Sequence, residues 1–265
     1  MTNTQTKKEI TKEFKDIKYI LTSSMRTKLL LSLYEVPLNL DELRSLLKKP
    51  SATILHGLKE LESINLVKKT QKYYELTSNG YLLTTNMIKL IDNWYSLSKS
   101  EIFWNNHDLS DIPEDILRDI YLLKNAEYVS STTSDLSIAF NRYINLLSKA
   151  KELTILLPIY SENHFKHIIS FLNEGKLEKL ELIVSKEICD SIQRNELFKR
   201  DLLEHEKVNV IITEKKFKIF LTYSEKFMSL TLFFKDGHYD DSHILISSDN
   251  DSKKWALALI KSYKG

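Results

Sequence analysis

Between Lys48 and Tyr73 the chain gathers side chains suited to a polyanion. Thr53 and His56 are short hydrogen-bonding groups of the kind that read base edges, and Leu55 could meet a thymine methyl. Lys48, Lys49 and Lys59, followed by Lys68, Lys69 and Lys72 beside Tyr73, supply charge for phosphate oxygens. Ile54, Leu58 and Leu61 recur at i, i+4, i+7 and mark a buried helical face, which leaves Ser51, Thr53, Leu55, His56 and Lys59 outward. The stretch from Lys68 to Tyr73 reads as a basic hairpin tip. Lysines also serve to keep an edge strand from pairing, but the helices immediately upstream favour a wing that contacts phosphate or the minor groove. Charge agrees: residues 1–78 hold 14 Lys and Arg against 9 Asp and Glu, and the remainder 24 against 27, inside a net charge of +2.

Other reactive groups carry less. His164 and His167 stand at i, i+3 on a predicted helix, a spacing able to ligate metal, with no acidic or thiol partner fixed nearby. A polar helix face is the plainer reading, and no metal is expected. His238, Asp240, Asp241 and His243 cluster about a KDGHYDD turn that an Asp-Gly hairpin already explains, although His238 and Asp240 are retained as candidate ligand-binding groups. Tyr160 and Tyr223, at predicted strand ends where open α/β sheets bind ligands, join them. Cys189, the single cysteine, excludes an intrachain disulfide and a cysteine-based zinc site, and its acidic neighbours disfavour a reactive thiolate. Glycines are five, no two closer than Gly57 and Gly80, so neither a dinucleotide loop nor a phosphate-cradling loop is present and no cofactor is expected. A G-x-S-x-G nucleophile turn is missing too.

The elements that must position these groups follow from period and punctuation. Ile10, Phe14, Ile17 and Ile20/Leu21 predict a first amphipathic helix. Ser23 or Ser24 caps a second over Met25–Tyr34, and Asn39 caps LDELRSLLKK, which Pro50 ends. Ser51 is expected to cap the helix through Ser63, and LVKKT and YYELT to form two strands around a tight turn. Gly80 to Ser100 predicts a long helix whose face (Leu82, Leu83, Met87, Leu90, Ile91, Trp94, Leu97) suits packing on a second copy. Beyond Ala126 apolar runs alternate with helical patterns, which argues for a mostly parallel sheet; three closely spaced strands and a closing helix around Trp255 follow. No apolar run approaches 18 residues and the start lacks a secretory h-region, so a soluble cytoplasmic protein that makes no membrane contact is expected.

The stretch KPSATILHGLKELESINLVKKTQKYYELTSNGYLL resembles the MarR/ArsR-like winged-helix repressors, matching at Leu58, Leu61, Leu66 and Val67, with Asn65 where those proteins usually carry Gly. Phe103 to Leu117 together with Phe234 to Tyr263 resemble the archaeal methanogenesis regulatory protein family, over nearly the full length. That resemblance implies an N-terminal winged helix, a C-terminal sensor domain and a one-component regulator. The C-terminal half also looks phospholipase-D-like at fold level, as in TrmB-type regulators. Phospholipase-D chemistry needs His-x-Lys-x4-Asp, and here His164-Phe165-Lys166 leads to Phe171 and His205-Glu206-Lys207 to Ile212. An enzyme is therefore not expected.

The sequence is thus read as an α+β homodimer: a winged helix-turn-helix over 1–78 that binds double-stranded DNA, a helical connector and dimer seam over 79–125, and an α/β sensor with a mixed sheet over 126–265 for a small-molecule effector. The alternative is a protein-interaction adaptor whose winged helix does not bind DNA.

Overall fold

The structure, a computed structural model, describes residues 14, 15 and 17–264. It divides into two compact units, Met1–Ile91 and Asp92–Gly265.

In the first unit the chain is helical over 17–21; of the described residues of the expected apolar face Ile20 enters the core, while Phe14, Ile17 and Leu21 are exposed. Ile10 lies outside the described residues. Helix α1 (Ser24–Ser32) starts at Ser23, whose side chain accepts from the Arg26 N–H, and buries Leu29 and Leu30. Strand β1 (Leu38–Asn39) leads directly into α2 (Leu40–Leu47), because Asn39 is a capping box: its Oδ1 accepts from Asp41 and Glu42, and Glu42 returns to the Asn39 N–H at 2.7 Å. Helix α3 (Ser51–Ser63) has Pro50 at its N-cap and no side-chain cap, so Ser51 is the first helical residue rather than the cap expected. The helix closes as a Schellman turn. Asn65 sits at φ 57°, its N–H donating to Glu62 and that of Leu66 to Leu61, which is where the repressors' glycine would stand. Strands β2 (Val67–Thr70) and β3 (Tyr73–Leu76) form the wing, with β1 added on the β3 side in the order β1-β3-β2. Helix α4 (Ser78–Ser98) follows. Its early residues Leu83 and Met87 pack in the same core as Leu29, Leu58, Leu61 and Tyr74, so this end belongs with the winged helix and not with a separate connector.

In the second unit α5 (Glu101–Asn106), α6 (Glu114–Arg118) and a 3-10 turn (Ile120–Leu123) precede a seven-stranded mixed sheet. Its strands are β4 (Glu127–Ser130), β5 (Glu152–Leu157), β6 (Lys179–Ser185), β7 (Val208–Thr213), β8 (Ile219–Tyr223), β9 (Met228–Leu232) and β10 (His243–Ser247), in the order β4-β10-β9-β8-β5-β6-β7. Only β5, β6 and β7 are parallel to one another. Strand β4 does not join them as expected; it pairs antiparallel with β10 at the far edge. Helices α7 (Ile138–Leu147), α8 (Glu162–Asn173) and α9 (Lys186–Gln193) cover one face, and α5, α6 and α11 (Asn250–Lys264) cover the other. The single helix expected over Glu187–Leu203 is broken. Asn195 caps a short α10 (Glu196–Phe198), and a π turn over Lys199–Leu203 follows.

Alternation along the central strands feeds both layers. Ile155, Leu157, Leu182 and Val184 point to one face, while Leu156 and Ile183 point to the other. The first of these faces also holds the buried hydroxyls of Thr222, Ser229 and Thr231, an unusual polar strip within an apolar layer.

Candidate nucleic-acid interface

On α3 the buried stripe is Ile54, Leu58 and Leu61, joined by Gly57, which lies against Leu29 and Met25 of α1. Thr53, His56 and Lys59 are therefore exposed, with Ala52 beside them, a position the sequence reading did not select. Leu55 is half-buried and packs against the winged-helix core, which withdraws it from the outward set. His56 Nδ1 lies 3.5 Å from Glu60, which is also held by Arg26 of α1 at 2.9 Å and by the Tyr19 hydroxyl at 3.2 Å. Burial pushes the Glu60 carboxyl up. The bonds and charge of Arg26, then Tyr19 and His56, outweigh it and hold the group below its usual range.

Lys48, Lys49 and Ser51 come together, lining one shallow groove with Arg44 and Asp41. Lys48 ends α2 in the left-handed region at φ 51°. With no side-chain cap and no acidic residue in its first turn, α3 presents its positive end beside two exposed lysines.

The wing lysines do not share one face. Lys68 points outward with Glu75 opposite, at 3.2 Å, and the Thr70 hydroxyl donates to the same carboxylate at 2.7 Å. Those contacts hold the Glu75 carboxyl below its ordinary range. Lys69 stands on the inner side, its ammonium 5.4 Å from the ring of the buried Tyr74. Lys72, in the turn, lies 5.5 Å from the ring of the half-buried Tyr73. Gln71 adopts φ 58° there, the left-handed conformation that two-residue hairpin turns require. Among the described residues neither Lys69 nor Lys72 has a carboxylate within ion-pair distance.

In the second unit the four candidate ligand residues are dispersed. Tyr160 packs its ring against Phe165 and Phe198. Tyr223 pairs with Thr154, toward the amino end of β5, and borders a different, open groove with Lys151 and Glu178. His238 is exposed and paired with Asp236 at 3.0 Å. Asp240 is the exception: it is buried and lines a small, partly open cavity of about 30 Å³. Of the cluster expected around KDGHYDD, Asp240, Asp241 and His243 border that cavity, Asp240 and His243 in contact at 2.8 Å, while His238 faces out.

The partner that sequence reasoning missed is His107. Its Nε2 lies 2.8 Å from Asp240 Oδ2, and its ring stacks on Phe234 at 4.9 Å. Burial pushes the Asp240 carboxyl up, but His107, Ser242 and His243 outweigh it and hold the group at about 2. The signal was available: His107 and Asp240 fall in the two blocks, Phe103 to Leu117 and Phe234 to Tyr263, that carried the family resemblance. The structure joins those blocks here and through the Lys235 N–H to the Asn106 carbonyl at 3.1 Å.

His164 and His167 do not meet a metal-binding set, and among the described residues no group of three or more His, Cys, Asp or Glu is arranged to hold an ion. Lys166, the other half of the partial phospholipase-D motif, pairs with Glu162 at the surface. Cys189 is buried, and burial followed by Asp190 pushes its thiol up. No helix among the described residues is long and apolar enough to cross a membrane.

Three helices, a capped turn and a two-stranded basic wing define a winged helix-turn-helix, here in a chain with a mixed α/β unit. Two models of one family match: "Methanogenesis regulatory protein FilR1, N-terminal domain" over residues 14–94 and "Methanogenesis regulatory protein FilR1, middle domain" over 137–265. The chain belongs to this family of archaeal regulatory proteins. It is 24% identical over 254 residues to the methanogenesis regulatory protein FilR1 of Methanothrix harundinacea (strain 6Ac), covering 94% of this chain and 56% of that one, so the chain spans about half the length of this relative. Among solved structures, the archaeal chromatin protein TrmBL2 aligns over 89% of this chain and 88% of its own, at 14% identity and a TM-score of 0.38. A riboflavin-derivative dimethyltransferase (RosA) from Streptomyces davawensis aligns over 81% and 68%, at 13% and 0.28. At such scores neither likeness bears on fold or activity.

Proposed function

We propose that this chain is a non-enzymatic, cytoplasmic transcription regulator: the winged helix near 1–78 binds double-stranded DNA, α4 carries a homodimer seam, and the C-terminal unit senses a small-molecule signal on a sheet that is phospholipase-D-like at fold level. The observation that carries it is the exposure of Thr53, His56 and Lys59 on the helix whose opposite face holds the winged-helix core. In this geometry α3 enters the major groove, with Thr53 and His56 on base edges. Lys59, Lys48 and Lys49 neutralise phosphates, and the uncapped start of α3 favours one more beside Ser51. Lys69 and Lys72 then give the wing its net charge, since Glu75 already offsets Lys68; Tyr73 lies beside them on the duplex.

The test needs no operator sequence, because phosphate contacts are independent of it. Anisotropy titrations of a generic duplex across salt concentrations give the slope of log K against log salt. Changing Lys68, Lys69 and Lys72 together to Ala is expected to flatten it by roughly 1 to 3 per protomer. Lys68→Ala alone is expected to contribute the least of the three. A slope that does not move removes the wing from the interface. Binding that is insensitive to salt altogether favours a partner protein on this surface instead.

A further inference from the structure

The small cavity of the second unit, partly open to solvent, lies on the sheet face beneath α7 and α8, toward the carboxyl ends of the parallel strands. That end, where β5 has its parallel neighbour on one side and an antiparallel one on the other, is where open α/β sheets take ligands. Its walls are aromatic. Phe140, Tyr143 and Phe220 surround the imidazole of His164 with ring centroids 5.0, 5.5 and 5.2 Å away, and Tyr239 stands 6.1 Å from Phe220.

Two features set the charge the cavity accepts. Among the described residues no Lys or Arg lines it, whereas Asp240, Asp241 and His243 do. The Asp240 carboxylate is already engaged by His107, Ser242 and His243. Asp241, at the exposed rim, has no hydrogen-bond donor or ion-pair partner among the described residues. His164 engages Ser161 Oγ through Nδ1 at 2.8 Å, and its Nε2 has no partner among the described residues. Burial, then His167, pulls this imidazole down to about 4, so at neutral pH it is uncharged and one ring nitrogen is an acceptor. Aromatic faces, an uncharged acceptor and an unpaired carboxylate at the mouth are matched to a cation that donates hydrogen bonds. An anion would meet π-faces and carboxylates, with no Lys or Arg among the described lining residues to offset them. A volume of about 30 Å³ admits only a few heavy atoms.

We propose that this cavity binds an ammonium group, either free ammonium or the end of a short primary amine, with Phe140, Tyr143, Phe220 and Tyr239 as its cage, His164 as acceptor and Asp241 as counter-ion. The site deepens the reading of this unit as a sensor, and its occupancy is measured without DNA, so failure of the DNA-binding reading leaves it standing and its own failure leaves the winged helix untouched.

Calorimetric titration of the full chain with ammonium chloride and with methylammonium chloride, in potassium chloride at constant ionic strength, is the experiment. Ammonium is expected to give saturable heat despite the potassium background, and tetramethylammonium none. Methylammonium binding as tightly as or more tightly than ammonium assigns the site to amine ends, and weaker binding assigns it to free ammonium. Asp241→Asn, an exposed change that spares the core, is expected to weaken binding about tenfold, as loss of a charge-assisted bond does. Tyr239→Phe, which keeps the ring, is expected to change affinity less. Absence of heat with both ions up to 50 mM (a concentration of order a weak effector's range, about 10 mM to 100 mM) overturns the proposal. So does heat unaltered in Asp241→Asn, or equal competition by potassium.

Discussion

His164 illustrates how a single buried group couples this protein to pH. Burial lowers its pKa to about 4 from the ordinary 6.5, with His167 adding to the effect. The unfolded chain therefore takes up the proton first as pH falls. Stability from the neutral imidazole is whole above pH 6.5 and is lost progressively toward pH 4, by about 3 kcal/mol in all. Asp240 acts with the same sign but elsewhere in range: held at about 2, it contributes above its ordinary 3.8 and loses that contribution only as pH drops from there toward 2. Urea unfolding between pH 7.5 and 4.5 thus isolates the histidine. His164→Gln is expected to flatten the decline in stability across that window, and an equally steep variant would locate the cause in another group. The sequence showed His164 as half of an i, i+3 pair on a helix and the start of a partial phospholipase-D motif, but not as a buried group, because nothing local reports that Phe140, Tyr143 and Phe220 arrive from other elements to desolvate it. Thr53, His56 and Lys59 were legible for the opposite reason: their exposure follows from the period of their own helix.

At the scale of elements, two glycines make contrasting demands. A methyl group at Gly57 would lie 2.8 Å from Leu29 Cδ1 and 3.0 Å from Met25 Cγ, both parts of flexible side chains. At Gly80 it would lie 1.9 Å from the Leu66 carbonyl oxygen, which is fixed because it accepts the Thr77 N–H. Gly57→Ala is expected to be near neutral, since the helix propensity gained, about 1 kcal/mol, offsets the crowding. Gly80→Ala is expected to cost about 3 kcal/mol or more by forcing the start of α4 off the Schellman turn. Hydrogen exchange at the Leu66 and Val67 amides reads the difference locally, and comparable protection in both variants would refute it. The capping box allows a second check. Asn39→Ala is expected to cost about 1 kcal/mol in urea unfolding, because it leaves the Asp41 and Glu42 N–H groups without their side-chain acceptor. Elements of this kind were readable in the sequence wherever local chemistry closes them, as at Asn39, Pro50 and Asn65. Strand β4 was not. Its apolar run is followed by a helix just as those of β5 and β6 are, and only pairing with β10, more than a hundred residues later, sets its direction.

The whole molecule is constrained by what α4 leaves uncovered. Leu82, Leu90, Ile91, Trp94 and Tyr95 remain between 47% and 69% exposed along this one helix, although Leu83, Met87 and Leu97 of the same apolar pattern pack inward. Large apolar side chains aligned on one helix are costly to keep in water, at roughly 25 cal/mol for each Å². A second copy of the same helix offers a self-complementary face. The function proposed above, reading half-sites about one DNA turn apart, also requires two winged helices held together, which a monomer does not supply. Sedimentation equilibrium at micromolar concentration is therefore expected to give twice the 31.1 kDa of one chain. Trp94→Glu, placing a charge at the most exposed position of the stripe, is expected to yield the single-chain mass with unchanged far-ultraviolet dichroism. The same variant should halve the salt slope on a duplex carrying two half-sites while leaving that on a short single-site duplex as it was. A wild-type chain that sediments as a monomer would reject the seam on α4. A Trp94→Glu chain that stays dimeric would move the seam to another surface, because a glutamate buried without a partner in such an interface costs more than the association can sustain.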